Sequence, residues 1–223
     1  MMVSRKIEAI VQTTLDHLVI TAPSLEVGIH YLQETLGVMP QPGGIHPRMG
    51  THNALLKLGD SCYLEVIAIK PDEPQPERSR WFGLDKLEAD ALPRLRTWVA
   101  RTNDIVKAQA IAPAWFGNIE PMSRGDLSWL ISIPADGSLP LGGICPALIQ
   151  WLKEPHPATR LSDAGCTLLR VEAHHPLAAL LTETLERIGF EGAFSVSPLH
   201  PSEQPYVCAY IQTPNGVRKL TSL

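Results

Sequence analysis

Apolar residues along the chain fall into short alternating runs and longer runs with helical spacing, and the order of these runs repeats. Leu15 to Ala22 alternates and is rich in β-branched residues, which predicts a strand. Pro23-Ser24 follows, with Ser24 placed to cap a helix. Leu25, Ile29, Leu32 and Leu36 then recur at spacings of four, three and four, one face of a helix that Gly37 closes. A Pro/Gly loop from Pro40 to Gly50 leads to strands His52 to Leu58 and Cys62 to Ile69, joined by Gly59-Asp60.

The same order returns further on. Leu95 to Thr102 predicts a strand, and Asp104 caps a helix carrying Ile105, Ala108 and Ile111. Strands Leu127 to Ile133 and Cys145 to Leu152 complete that unit. Superposing Leu25 on Ile105 matches Val19 with Val99 and His17 with Thr97, while the closing strands match Glu65 with Gln150. Pro71 to Pro93 between the units reads as an exposed linker in which Arg80-Trp81-Phe82-Gly83-Leu84 returns to the core. A partial third copy follows. Thr167 to Glu172 predicts a strand, Pro176 opens a helix with Leu177, Leu181, Leu185 and Ile188, and Tyr206 to Thr213 with Val217 to Thr221 predicts a hairpin.

Composition narrows the function. The chain has 223 residues, is 44% hydrophobic and 19% charged, and carries a formal charge of −4. That suits a folded protein with a sizeable core and offers no basic face for nucleic acid. The apolar run Cys62 to Ile69 is interrupted by Glu65 and is too short to span a bilayer. Met1 to Gln12 lacks the apolar region of a secretory leader, and the four cysteines are scattered without a C-x-x-C pair, so reduced thiols in the cytoplasm are expected. No G-x-S-x-G, P-loop, G-x-G-x-x-G or H-E-x-x-H occurs, which removes serine hydrolases, NTPases, dinucleotide enzymes and zincins.

At Leu15-Asp16-His17-Leu18-Val19, with Gly50-Thr51-His52-Asn53 and Tyr63-Leu64-Glu65-Val66-Ile67, the sequence resembles the vicinal oxygen chelate superfamily. Within it, Arg80-Trp81-Phe82-Gly83 and Pro155-His156-Pro157 look like the glyoxalase-like domain branch. The resemblance implies an α+β fold in which paired βαβββ modules curl a mixed sheet around a cavity. Residues 14–158 would hold that domain (module one 14–70, linker 71–93, module two 94–154), with 159–223 a partial βαββ module packed on it. It also implies a metal held by His or Glu on the first and last strands of a module, binding vicinal oxygens of a substrate.

Carried over, His17 and Glu65 keep both positions in module one, whereas Thr97 and Gln150 replace them in module two. The expected metal set is therefore His17, Glu65 and a loop histidine, His52 first and His46 next, holding a divalent metal of open identity. Alternation independently puts His17 with Val19 and Thr21, and Glu65 with Tyr63 and Ile67, on single faces. A buried Glu65 needs a metal, a cation such as Arg80 or Arg124, or a cavity. Asn53, Thr97, Arg124 and Gln150 are expected to bind substrate, Arg124 from a Ser123-Arg124-Gly125 loop clamping a carboxylate or phosphate. His174-His175 reads as a turn before a helix. Two functions follow: a metal-dependent lyase, isomerase or dioxygenase-type enzyme with Glu65 as ligand or base, or a metal-free binding protein of the bleomycin-resistance type. The expected partners are a small molecule and, in a homodimer, a second copy of the chain.

Overall fold

A computed structural model describes residues 11–223, so most of the segment expected to lack a leader lies outside the described residues. Module one contains β1 (Thr13–Thr21), α1 (Leu25–Leu36), β2 (Gln41–His46), β3 (Thr51–Lys57) and β4 (Tyr63–Ile69). Module two contains β5 (Arg94–Thr102), α2 (Ile105–Ile111), α3 (Pro113–Phe116), β6 (Asn118–Arg124), β7 (Leu127–Ile133) and β8 (Ala147–Trp151). Their strands form one mixed sheet in the order β2-β3-β4-β1-β5-β8-β7-β6. β1 runs parallel to β4, β5 runs parallel to β8, and β1 and β5 meet antiparallel at the centre. His17 faces Val99 across that junction and Val19 faces Thr97, the pairing that a local two-fold axis between the modules requires.

Alternation along β1 splits the core in two. Leu18 and Ile20 pack with Leu32 and Leu36 of α1 on the outer face. Val19 packs with Ile67, Val99, Trp129 and Ile149 inside the curl. Ser24 caps α1 as its sequence suggests, its Oγ accepting from Val27 N–H at 3.3 Å. The outer core continues into a second sheet, β11 (Phe194–Pro198), β9 (Thr167–His175), β12 (Tyr206–Thr213) and β13 (Gly216–Thr221), in that order. Val171, Val207, Ile211 and Leu220 of this sheet and Leu181 of α4 (Ala178–Arg187) join the same apolar cluster as Trp98. The short β10 (Phe190–Glu191) adds to β1 at Thr13.

The architecture is the expected α+β curl, with differences in detail. β2 and β6 are strands where loops are expected. Pro42-Gly43-Gly44 carries turn residues, yet an edge strand tolerates Pro, and the ladder slips between Pro42 and Ile45. Arg124 closes strand β6 rather than sitting in a loop. The two edges of the curl come together, where Arg48 donates to Glu120 Oε2 at 2.6 Å and to Pro121 O at 2.7 Å, and Arg78 pairs with Glu120 at 2.8 Å. All four cysteines are free thiols. Among the described residues no helix is long and apolar enough to cross a membrane.

Candidate functional site

The site begins with an irregularity in β1. The ladder with β5 pairs Leu15 with Ala100 and His17 with Val99, so Asp16 is an extra, bulged residue. A bulge re-aims a side chain, and here Asp16 turns to the same network as His17. Its Oδ1 lies 2.7 Å from His17 Nδ1. Its Oδ2 accepts from Trp151 Nε1–H and from His156 Nε2–H, each at 2.9 Å. Ala158 N–H donates to His156 Nδ1 at 3.2 Å, which places the His156 proton on Nε2. Asp16 is fully buried. Burial alone would raise its carboxyl, but the hydrogen bonds from His156 and His17 outweigh it and hold the carboxyl well below its usual range. The carboxylate therefore accepts a proton-bearing Nδ1 from His17 and leaves Nε2 as that ring's working atom.

His17 Nε2 faces Glu65 Oε2 at 3.6 Å, beyond hydrogen-bond length. Glu65 is held from behind: Asn53 Nδ2–H donates to its Oε1, and Asn53 Oδ1 in turn accepts from Gly44 N–H at 2.9 Å. The backbone here has no room for side chains. A Cβ on Gly43 would fall 2.0 Å from Asn53 Oδ1, and one on Gly44 would fall 2.8 Å from Arg124 Cδ. The two glycines thus admit Asn53 on one side and the Arg124 stem on the other. Tyr63 stacks on His17 with ring centres 4.6 Å apart. Burial, then the charges of Asp16 and Glu65, push its phenol well above the usual value. His46 binds Thr51 Oγ1 at 3.1 Å; burial, then the Arg124 charge, keeps its imidazole well below the usual range and neutral at pH 7. His17, His46, Tyr63 and Glu65 line one side of a cleft inside the curl, and Arg124, Trp129 and Trp151 of module two line the other.

Module two has a counterpart cleft, lined by Thr97, Phe116, Cys145 and Ala147 and separated from the first by Trp81 and Phe82. Its chemistry is different. Val19 pairs with Glu65 on β4, and the equivalent Val99 pairs with Ala147 on β8. Ala147, not Gln150, therefore stands in the place of Glu65. The expected match slips by 150 − 147 = 3 residues, and an odd slip turns a side chain to the other face of a sheet. Gln150 accordingly accepts from Ile105 N–H at 2.9 Å, on the α2 side and away from the clefts. Thr97 does stand in the place of His17, but it lines the second cleft rather than the first. Arg96 is the bulged residue on β5, as Asp16 is on β1.

The expected metal set does not assemble. His52 alternates with Thr51 and Asn53, so it faces α1, where burial lowers its imidazole against the pull of Glu26. His17 and Glu65 converge, and the other candidate, His46, lines the same cleft with its Nδ1 on Thr51 Oγ1. Among the described residues no group of three or more His, Cys, Asp and Glu side chains is placed to hold a metal ion. A catalytic centre of the expected kind takes three protein ligands. The residues present do not fit a resident metal.

The sequence matches the model of the glyoxalase-like domain over residues 15–189. The chain belongs to this family, within the vicinal oxygen chelate superfamily. No curated relative matches the glyoxalase-like chain in sequence. Among solved structures it is similar to a hypothetical protein from Staphylococcus aureus, with a TM-score of 0.58 and 13% identity over 84% of this chain and 86% of that one. A methylmalonyl-CoA epimerase from Streptomyces coelicolor, solved with 2-nitronate-propionyl-CoA, gives 0.43 and 18% identity over 62% of this chain and 97% of that one. The Mycobacterium tuberculosis epimerase gives 0.40 and 19% over 63% and 88%. At these identities the likeness is one of fold.

Of the residues singled out in the sequence, the structure brings His17, Glu65, Asn53 and Arg124 to one cleft and leaves Thr97, Gln150 and His52 out of it. His46, the second of the expected loop histidines, also lines this cleft, and the structure adds Asp16, His156, Trp151 and Tyr63. Asp16 beside His17 and the Pro155-His156-Pro157 segment are visible in the sequence. Nothing in strand alternation joins them, because the bulge that does so breaks the alternation.

Proposed function

We propose that this glyoxalase-like protein is an isomerase- or lyase-type enzyme that moves a proton on a small, oxygen-rich molecule. The observation that carries this reading is the facing pair, His17 Nε2 and Glu65 Oε2 at 3.6 Å, each fixed from behind by a buried partner. A histidine whose Nδ1 is tied to a carboxylate presents a defined Nε2 for proton exchange. Glu65, with one oxygen on Asn53, presents the other. Tyr63 stays a neutral phenol against the His17 ring and limits its rotation.

The geometry also selects among proton transfers. Two bases that invert a carbon must flank it from opposite sides, about 6 Å apart given hydrogen-bond reach to each side. His17 and Glu65 stand on neighbouring parallel strands, too close for that arrangement. They suit removal and return of a proton along one face of the substrate, as in an enolisation, a tautomer shift or an elimination. One group takes the proton from the carbon beside a carbonyl and then gives that same proton to the adjacent oxygen or leaving group, so the step needs no proton that the pair does not already hold.

The test uses pyruvate, 2-oxobutyrate and acetoacetate in deuterated water, with proton NMR following the C–H beside the carbonyl. The expected result is protein-dependent exchange of at least one probe, reduced about 100-fold or more by Glu65→Gln. Exchange no faster than buffer for all of them, or unaffected by Glu65→Gln, contradicts proton transfer and leaves the binding protein as the reading.

A further inference from the structure

The wall facing His17 and Glu65 has a separate chemistry that the proton transfer does not use. Trp81 and Trp129 line the cleft, are 3% and 4% exposed, and their indole nitrogens are buried with no hydrogen-bond partner among the described residues. Other tryptophans of the chain do find acceptors: Trp98 donates to Ile144 O at 2.8 Å and Trp151 to Asp16 Oδ2 at 2.9 Å. An indole nitrogen donates only, and leaving such a donor buried and unpaired is unfavourable. Arg124 lines the same cleft and has no ion-pair partner among the described residues. It lies on the inner face of the β6–β7 hairpin, diagonal to Trp129, because Met122 pairs with Trp129 and Arg124 with Leu127. Arg124 also lines an outer groove with Gly44, Leu127 and Pro157, so the residue stands between that groove and the inner cleft.

We infer that Trp81, Trp129 and Arg124 form a subsite for the carboxylate of the substrate, making the substrate class a small, flat carboxylic acid. This deepens the proton-transfer reading and rests on it for the placement of the reacting carbon against His17 and Glu65. Three donors and no acceptor specify an oxyanion. One cation with two neutral donors balances a monoanion, whereas a phosphate dianion would bring an uncompensated charge beside Glu65 and Asp16. The indole rings and the edge-on His46, whose ring centre is 5.1 Å from that of Trp81, give the cleft flat aromatic walls. The close approach of Gly44 to the Arg124 stem fits this subsite, because a side chain at 44 would push into the stem.

The experiment observes the indole N–H resonances of the full chain by proton–nitrogen correlation at constant ionic strength, with Trp81→Phe and Trp129→Phe assigning the two signals. The probes are pyruvate and benzoate, each against its amide, and inorganic phosphate. The expected result is a saturable downfield shift of both signals with at least one carboxylate, with binding at least tenfold weaker for its amide and for phosphate. Arg124→Gln is expected to weaken carboxylate binding about tenfold or more, the loss of one charge-assisted hydrogen bond. Equal response to carboxylate and amide, tighter binding of phosphate, shifts confined to other tryptophans, or no saturable shift overturns the subsite. Because this readout is binding alone, carboxylate capture without proton exchange would instead count against the proton-transfer reading, and exchange without carboxylate selectivity would count against the subsite.

Discussion

The two modules share a backbone plan and differ in what they do with it. Each has a bulge at the same place on its first strand, a parallel closing strand and a cleft of similar size. Module one puts Asp16, His17 and Glu65 at positions where module two has Arg96, Thr97 and Ala147. Behind the first cleft lies a fully buried carboxylate with three side-chain donors, and the second is walled by Phe116, Cys145 and Pro146. A duplicated frame therefore fixes where side chains can converge, while three substitutions decide whether chemistry is possible there.

The largest expected contrast is at the paired bulges. Asp16→Ala would leave His17, His156 and Trp151 without their shared acceptor, and breaking such a buried charged network costs on the order of 3–5 kcal/mol. Arg96→Ala, at the half-buried counterpart, is expected to stay within about 1 kcal/mol of the parent. Urea melts of the two variants measure this, and equal losses would break the contrast. Next comes Glu65→Gln, which is expected to melt no lower than the parent while losing proton exchange, since it keeps the shape and removes a buried charge. Ala147→Ser in the second cleft should leave exchange unchanged.

Acid sensitivity should also separate the clefts. His46 is held neutral in the folded chain, so its contribution is full above its ordinary 6.5 and is lost as the pH falls through the lower folded value. Stability is thus expected to decline between about pH 7 and pH 5, and His46→Gln should flatten that slope. Burial lowers His52 and His175 too, so part of the slope remains. Asp16 acts in a different window: its contribution is full above the ordinary 3.8 and falls away only in stronger acid. Denaturant melts at three pH values in the parent and in His46→Gln would show both limbs.

The smallest effect concerns metal. Among the described residues no three His, Cys, Asp or Glu side chains are placed to hold a metal ion, so dialysed protein is expected to retain no stoichiometric zinc or manganese. A retained metal that Glu65→Gln releases would restore the metal-centred expectation.

Much of the frame was legible in the sequence because helix and strand periods are local. Ser24, the Leu32–Leu36 stripe and the alternation of His17 with Val19 all rest on neighbours a few residues away. What stayed hidden depends on register and on breaks in period. The edge strands β2 and β6 are disguised by Pro42, Gly43, Gly44 and Pro121. Strand endings match Gln150 to Glu65, whereas pairing to β5 gives that place to Ala147. His52 neighbours Asn53 in the chain and still faces away from the cleft. Asp16 reaches the site only through a bulge, and His156 through a turn 140 residues later.

The central claim is that Asp16 fixes His17 so that its Nε2 meets Glu65 in one module only. Long-range proton–nitrogen NMR of the imidazole rings tests it without any substrate. The expected spectrum has the His17 proton on Nδ1, hydrogen-bonded to a carboxylate, and a displaced Nε2 resonance in Glu65→Gln but not in Ala147→Ser. A His17 ring protonated only at Nε2, or one whose Nε2 resonance ignores Glu65→Gln, would contradict it.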